Sequence, residues 1–280
     1  SSKSARLGKT QQHAKCMTVL FSDIDGTLID HHTYDTRLAI LAVEILKKKA
    51  IPLVFCSSKT FAEQVQLQQM IGIKQPMIVE NGSGIVFPEG YFSKITTNSE
   101  PVSGGYRLVR LTNVTWMGIR DILKRLNQNP GTALRGFSDT TDEELSEATN
   151  LHGADLGRAR QRMFTETLLP PTPDLTETTA LQEAGLELSR GGRFVTLTGA
   201  GTNKGKALMV LAGWYLQEYG SQPTTMAVGD SPNDESMLVA ADKAFLVKQP
   251  TGTWAHLNAP GMVKLDGIGP EGLLKMVQLL

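Results

Sequence analysis

Two carboxylates stand two residues apart in Asp23-Ile24-Asp25-Gly26-Thr27, directly after the apolar run 17–21. Where a strand gives way to a turn, its alternation no longer sends such side chains to opposite faces. One can then attack a phosphorus atom in line while the other protonates the departing oxygen. Gly26 permits the turn that aims Asp25 inward. The plainer reading of the same residues is a strand end with aspartates as turn caps. Ser57-Ser58-Lys59 follows a second apolar run. A hydroxyl there, with the N–H groups of a starting helix, can bind a phosphate oxygen, or can simply cap the helix. Lys204, in Gly201-Thr202-Asn203-Lys204-Gly205, can neutralise both Asp23 and a transferred phosphoryl group. Lys206 is the nearby alternative, and a solvated lysine the plain one. Gly229-Asp230-Ser231-Pro232-Asn233-Asp234 places Asp230 at a strand end, where it and Asp23 offer the oxygen-only ligation that suits Mg²⁺. Asp234 then holds a metal-bound water or orients Lys204, unless the segment is a turn with an Asp cap. Each motif alone is ambiguous. Together they supply a nucleophile–acid pair, a hydroxyl, a lysine and an acidic metal motif in the order that one active site needs.

Such a site requires one edge of one sheet. Residues 17–21, 51–56, 77–79, 224–228 and 244–247 are short apolar runs rich in β-branched residues. Segment 37–49 carries Leu38, Leu41, Ala42, Ile45 and Leu46 at helical spacing. Residues 60–71 form a second helix closed by Gly72, with further helices at 204–219 and 234–241. Continuous apolar strands alternating with helices predict an α/β fold, a Rossmann-like parallel sheet covered on both faces. Ligands of such sheets bind beyond the carboxyl ends of the strands. Between residues 89 and 197 the texture changes. Strands are expected at 106–111 and 132–137, helices at 116–126, 142–161 and 174–184, and a hairpin over 186–198 broken by Gly191-Gly192. The chain therefore divides into a flexible tail (1–16), a first core part (17–88), an inserted α/β domain (89–197) and a second core part (198–280).

Composition narrows the functional classes. Lys+Arg and Asp+Glu both total 28, so no basic excess points to nucleic acid. No apolar run approaches the roughly 18 residues of a membrane span. The two cysteines, Cys16 and Cys56, are far apart and outside any CxxC, which argues against a disulfide framework or structural zinc. Cys56 reads as a small buried core residue, and a reducing, cytoplasmic location is expected. Residues 1–16 are polar, basic and without hydrophobic period, a tail rather than a targeting peptide.

The stretches FSDIDGT, FCSSK, TNKGK and GDSPND resemble motifs I to IV of the haloacid dehalogenase superfamily, and the insertion between the second and third resembles its C2 cap. Within that superfamily the chain is similar to the mannosyl-3-phosphoglycerate phosphatase family. The likeness rests on Asp30-His31-His32-Thr33-Tyr34, CSSKT, Val79-Glu80-Asn81-Gly82, Leu134-Arg135-Gly136-Phe137-Ser138-Asp139 and Arg162-Met163-Phe164-Thr165-Glu166. It spans about residues 17–270.

The resemblance implies a phosphatase in which Asp23 forms an aspartyl-phosphate and Asp25 serves as acid, then base. It implies Mg²⁺ held by the Asp23 carboxylate, the Asp25 backbone carbonyl and Asp230, with Asp234 in support. Ser57 and Lys204 would bind phosphoryl oxygens, joined by Ser58 and Asn233. A substrate carrying sugar, carboxylate and phosphate would meet Lys59, Glu80, Asn81 and Gly82 from the core. From the cap it would meet Arg135, Gly136, Phe137, Arg162 and Arg193. The implied reaction is removal of phosphate from mannosyl-3-phosphoglycerate, giving mannosylglycerate, a compatible solute. Glucosyl-3-phosphoglycerate, a simple sugar phosphate, a phosphomutase reaction and a silent sugar-phosphate binding protein are the alternatives. Two departures from the family pattern stand out: Ser231 where glycine is usual and Thr167 where proline is usual.

Overall fold

In the computed structural model residues 16–280 are described, so all of the expected tail but Cys16 lies outside the described residues. Strand runs in which every side chain is apolar bury both faces, and helices must cover each side. The chain meets this with β1 (Thr18–Ser22), α1 (Arg37–Lys48), β2 (Leu53–Cys56), α2 (Phe61–Ile71), β3 (Met77–Val79) and β4 (Gly84–Pro88). Then come β5 (Glu100–Val102), β6 (Tyr106–Arg110), α3 (Trp116–Leu126), α4 (Asp142–Thr149), α5 (Ala154–Arg160) and β7 (Glu166–Leu168). After α6 (Leu175–Glu183), β8 (Leu186–Arg190) and β9 (Val195–Gly199) follow α7 (Lys204–Tyr219), β10 (Thr224–Gly229) and α8 (Glu235–Ala240). The chain closes with β11 (Lys243–Lys248), β12 (Val263–Ile268) and α9 (Pro270–Gln278).

A nine-stranded sheet runs in the order β12-β11-β10-β1-β2-β3-β4-β6-β5. Its members from β12 to β3 are parallel, and β4, β6 and β5 continue it antiparallel. Alternation splits β1 cleanly. Leu20 faces a cluster with Ala42 and Leu46 of α1 and Leu273 and Met276 of α9, while Val19 and Phe21 face Leu208, Leu211 and Tyr215 of α7. A second sheet, β7-β9-β8, is antiparallel. Ile119 and Leu123 of α3 and Leu181 of α6 cluster with Leu168, Leu186 and Leu197 from this sheet. Among the described residues no helix is long and apolar enough to cross a membrane.

Most expected elements are present, and four differences are instructive. The strand expected at 106–111, assigned to the insertion, is β6 and pairs with β4 in the large sheet. Its alternating Tyr106 and Leu108 mark a half-buried strand, but alternation cannot say which sheet accepts it. Segment 132–137 is not a strand. Only Gly136 bridges to Leu168, and residues 137–139 make one 3-10 turn. The three-residue β7, and β12 with α9, were not anticipated. In α1 the buried face is Ala39, Ala42, Val43 and Leu46, whereas Leu41 is 47% exposed. The largest side chains suggest one phase of the helix; close approach to the sheet selects another, lined by alanines.

One buried carboxylate ties the large sheet to the insertion. Glu80 follows β3 in left-handed backbone (φ 49°), as does Asn81 (φ 60°). Glu80 accepts hydrogen bonds from the N–H groups of Met163, Phe164 and Thr165 and from the Thr165 hydroxyl, at 2.8–3.2 Å. Glu80→Ala would strand these donors in a dry interior and should destabilise the protein by about 3 kcal/mol, with Glu80→Gln losing less. Urea denaturation of the two variants beside wild type measures the difference.

Candidate active site

β1 and β10 are parallel neighbours, so the residues that follow them emerge side by side at one edge of the sheet. Asp23 follows β1 and Asp230 follows β10, both buried. Lys204, at the first turn of α7, is 1% exposed. Its Nζ donates to Asp23 Oδ1 at 3.0 Å and to Asp234 Oδ1 at 2.6 Å. The other oxygen of Asp234 accepts from the N–H groups of Asp230 and Ser231 at 2.9 and 3.0 Å. Asp234 therefore fixes both the lysine and the turn that presents Asp230, which is the orienting role among those expected for it. Asn203 caps α7 by accepting from Lys206 N–H, and the exposed Lys206 ammonium turns to the Gly201 carbonyl. Of the two lysines it is Lys204 that reaches Asp23.

Three buried carboxylates face one ammonium. Burial, reinforced by Asp234, pushes the Asp23 carboxyl up to about 6 against the pull of Lys204. Burial and then the charges of Asp23 and Asp234 raise Asp230 well above the carboxylate range. Burial works against the Lys204 ammonium, but Asp23 and Asp234 outweigh it and hold its pKa above the ordinary value. Uncompensated negative charge in such a place is costly. Asp23, Asp230 and Asp234 present oxygens within 4.8 Å of one another, and this all-oxygen donor set fits a hard cation. Gly26 completes the cradle. Its φ is +77°, and a Cβ there would lie 2.7 Å from Asp230 Oδ2.

Asp25 sits beside this cluster. Its Oδ2 pairs with Lys59 Nζ at 3.1 Å, and its buried Oδ1 has no hydrogen-bond partner. Lys59 also pairs with Glu63 at 3.1 Å and lies over the Tyr34 ring, 5.3 Å from its centroid. Burial opposes the ammonium, but Asp25 and Glu63 raise its pKa above the usual lysine range. Glu63 is also the capping-box partner of Thr60 at the start of α2, so helix initiation and placement of Lys59 share one carboxylate.

A cavity of about 330 Å³ opens over these groups. Of the expected site residues, Asp23, Asp25, Ser57, Ser58, Lys59, Phe137, Arg162, Arg193, Asp230 and Asn233 line it. Ser57 is buried at the end of β2, and its hydroxyl accepts from Lys59 N–H at 3.1 Å. Arg162 reaches across from the insertion and donates to the Ser58 carbonyl at 2.7 Å. Asn233 donates to Asn81 Oδ1 at 3.1 Å, so Asn81 stands one step behind the cavity.

Lys204 and Asp234 lie beneath the floor, and four expected substrate contacts lie elsewhere. Glu80 spends its oxygens on residues 163–165. Gly82 packs on the turn before α7, where a Cβ would meet the Asn203 carbonyl at 2.1 Å. Arg135 points outward to Glu144 at 2.6 Å and the Asp139 carbonyl at 3.0 Å. Gly136 lies against the Glu166 side chain, 2.5 Å from where its Cβ would be. Residue type alone cannot separate these from residues facing a ligand. Unforeseen in the lining are Tyr34, Glu63, Thr149, Thr196 and Gln249. Only Tyr34 had a signal, its place in the stretch after the first motif.

Comparisons with known proteins give the family and the fold. A family model described as haloacid dehalogenase-like hydrolase matches residues 20–116. A glucosyl-3-phosphoglycerate/mannosyl-3-phosphoglycerate phosphatase from Persephonella marina is 34% identical over 257 residues, 91% of this chain and 93% of that protein. A protein of the same name from Methanococcoides burtonii is 34% identical over 258 residues with the same coverage. Among solved structures, a phosphatase of the haloalkanoate dehalogenase superfamily from Bacteroides thetaiotaomicron superposes with a TM-score of 0.64 at 18% identity. That match covers 99% of this chain and 98% of the other. The sucrose-phosphatase from Synechocystis, solved with sucrose and phosphate, gives 0.59 at 19% identity, covering 95% and 98%. The structural likenesses show the fold. The identity sustained along nine-tenths of the sequence shows that this chain belongs to the glucosyl-3-phosphoglycerate/mannosyl-3-phosphoglycerate phosphatase family of haloacid dehalogenase-like hydrolases.

Proposed function

We propose that this phosphatase is Mg²⁺-dependent and removes phosphate from mannosyl-3-phosphoglycerate, leaving mannosylglycerate. Glucosyl-3-phosphoglycerate, which the names of both relatives also carry, is the second substrate. The observation that carries the reading is Asp23. It is a buried carboxylate fixed by Lys204, next to Asp230, at the floor of a cavity whose opposite wall brings Arg162.

In this mechanism an Asp23 oxygen attacks the phosphorus while the ester P–O bond breaks. The departing alkoxide takes its proton from Asp25. Asp25, now a carboxylate, draws a proton from water, whose oxygen attacks the phosphorus of the Asp23 acyl phosphate. Inorganic phosphate leaves, and Asp23 and protonated Asp25 are restored. Lys204 and the Ser57 hydroxyl bind phosphoryl oxygens. Asp23, Asp230 and the Asp25 backbone carbonyl would hold Mg²⁺, which when bound neutralises the excess carboxylate charge and draws charge from the phosphoryl oxygens. Residues 116–199, which build the second sheet and its helices, act as a cap that excludes bulk water. Arg162 offers the cation a glycerate carboxylate requires.

Phosphate release from mannosyl- and glucosyl-3-phosphoglycerate, mannose 6-phosphate and 3-phosphoglycerate tests the substrate. We expect kcat/KM for a glycosyl phosphoglycerate to exceed the simple phosphates by about a hundredfold, roughly 2.7 kcal/mol of transition-state discrimination. Uniformly slow turnover would remove the substrate assignment. Asp25→Asn should lower kcat by about 10²–10⁴-fold, and Asp23→Asn should abolish turnover. Independently of activity, Mg²⁺ at about a hundred times its Kd should stabilise the wild type by about 2.7 kcal/mol. Thermal denaturation with and without Mg²⁺ should show that shift largely lost in Asp230→Asn.

A further inference from the structure

Tyr34 occupies a backbone conformation that a bulky residue adopts at a cost. Its φ is +59°, in the left-handed region that disfavours large L side chains. Such strain persists only where the surroundings over-determine it, and it concentrates at functional positions. Here the surroundings are explicit. Asp30 accepts hydrogen bonds from the N–H groups of His32 and Thr33 at 2.9 and 2.7 Å, fixing the loop that leads into Tyr34. Asn150, just past α4, donates to the His32 carbonyl at 2.7 Å, tying that loop to the insertion.

The two ends of the Tyr34 side chain then do different things. At one end the phenol donates to the Thr149 carbonyl and accepts from Arg193 Nη2 at 2.8 Å. Thr149 ends α4, and Arg193 stands in the turn between β8 and β9, its guanidinium over the Phe194 ring. Both belong to the insertion, whereas Tyr34 belongs to the loop after β1. At the other end the ring face lies under the Lys59 ammonium, which holds Asp25 at 3.1 Å. One rigid aromatic thus touches the insertion through its hydroxyl and the partner of Asp25 through its π face, a favourable seat for a cation.

We infer that Tyr34 is a positioning residue that couples closure of the cap, through Arg193 and Thr149, to the seating of Lys59 against the acid/base Asp25. With the insertion drawn away, the phenol loses both of its partners and the ring is free to leave Lys59. With the insertion in place, the ring is fixed and Lys59 stays on Asp25. Arg193, expected from sequence as a substrate contact, is in this arrangement the arm of the tie. The inference rests on the role proposed above for Asp25, but its structural half can be read without substrate.

The hydroxyl and the ring are separable by mutation. Tyr34→Phe keeps the seat and removes the tie. Hydrogen exchange of the amides between residues 190 and 195 should then quicken by about tenfold, the loss of one hydrogen bond to a charged group. Unchanged exchange would overturn the coupling whatever the substrate proves to be. In turnover of a glycosyl phosphoglycerate, the same variant should raise KM by about tenfold while lowering kcat by no more than about twofold. Tyr34→Ala removes ring and hydroxyl together and should also lower kcat by about tenfold or more. Equal kcat values for the two variants would overturn the seat. So would a crystal structure of Tyr34→Ala in which Lys59 still lies 3.1 Å from Asp25. If wild type releases phosphate from no ester, the phosphatase reading fails. Exchange in Tyr34→Phe and the Tyr34→Ala structure still decide the two halves of the coupling.

Discussion

Lys204 is buried directly beneath the cavity floor, and its charge is held by Asp23 on one side and Asp234 on the other. Removing one partner of such a buried group leaves the other uncompensated, at a cost of about 3–5 kcal/mol. Everything around the cluster follows from that constraint. The ends of β1 and β10 must lie side by side, α7 must begin where its first residue points between them, and the turn after β10 must fold back so that Asp234 reaches the lysine. Asp234 also accepts the N–H groups of Asp230 and Ser231, so one side chain serves the charge balance and the backbone. A carboxylate fixed this firmly has little orientational freedom left to lose.

The second constraint is the seam between the large sheet and the insertion, where polar contacts add to the packing of Met163 and Phe164 against the core. Glu80 gathers the N–H groups of residues 163–165, Arg162 reaches Ser58, and the Thr60 hydroxyl donates to the Arg158 carbonyl at 2.8 Å. The segment 57–60 thus bonds to the insertion while its backbone is stitched to residues 78–81. Because Ser57 and Lys59 lie within that segment, their placement depends on both parts of the chain. The directional bonds add to that packing an orientation as well as a distance.

The core of the site was legible in the sequence because strand ends place side chains with little ambiguity. Asp23, Ser57 and Asp230 each follow an apolar run, and parallel pairing brings the three ends together. Residues whose role depends on tertiary direction were not legible. Arg135 and Arg162 are alike in sequence, yet one pairs with Glu144 at the surface and the other enters the cavity. The family resemblance implies Glu80 as a substrate contact. Its left-handed backbone instead turns the carboxylate toward β7, a strand of three residues too short to announce itself. The phase of α1 was misread for a related reason. Periodicity weighs large side chains most heavily, whereas the helix approaches the sheet through Ala39 and Ala42.

Polar satisfaction separates scaffold from site. Among the described residues five buried side-chain polar atoms have no hydrogen-bond partner. Four of these belong to Asp25, Asn81, Ser231 and Asn233, residues in or directly behind the cavity. An unsatisfied buried group costs about 1–3 kcal/mol, and the fold avoids that cost almost everywhere else, down to the paired donors around Glu80. The same pattern accounts for Ser231, whose hydroxyl stands where the family pattern has glycine. Its N–H does the structural work by donating to Asp234, which a glycine N–H does equally well. The hydroxyl is therefore an addition to a residue of the cavity wall, one more buried polar atom without a partner. A scaffold that satisfies its own groups and concentrates the unsatisfied ones at one edge of a sheet has set stability aside where a ligand can return it.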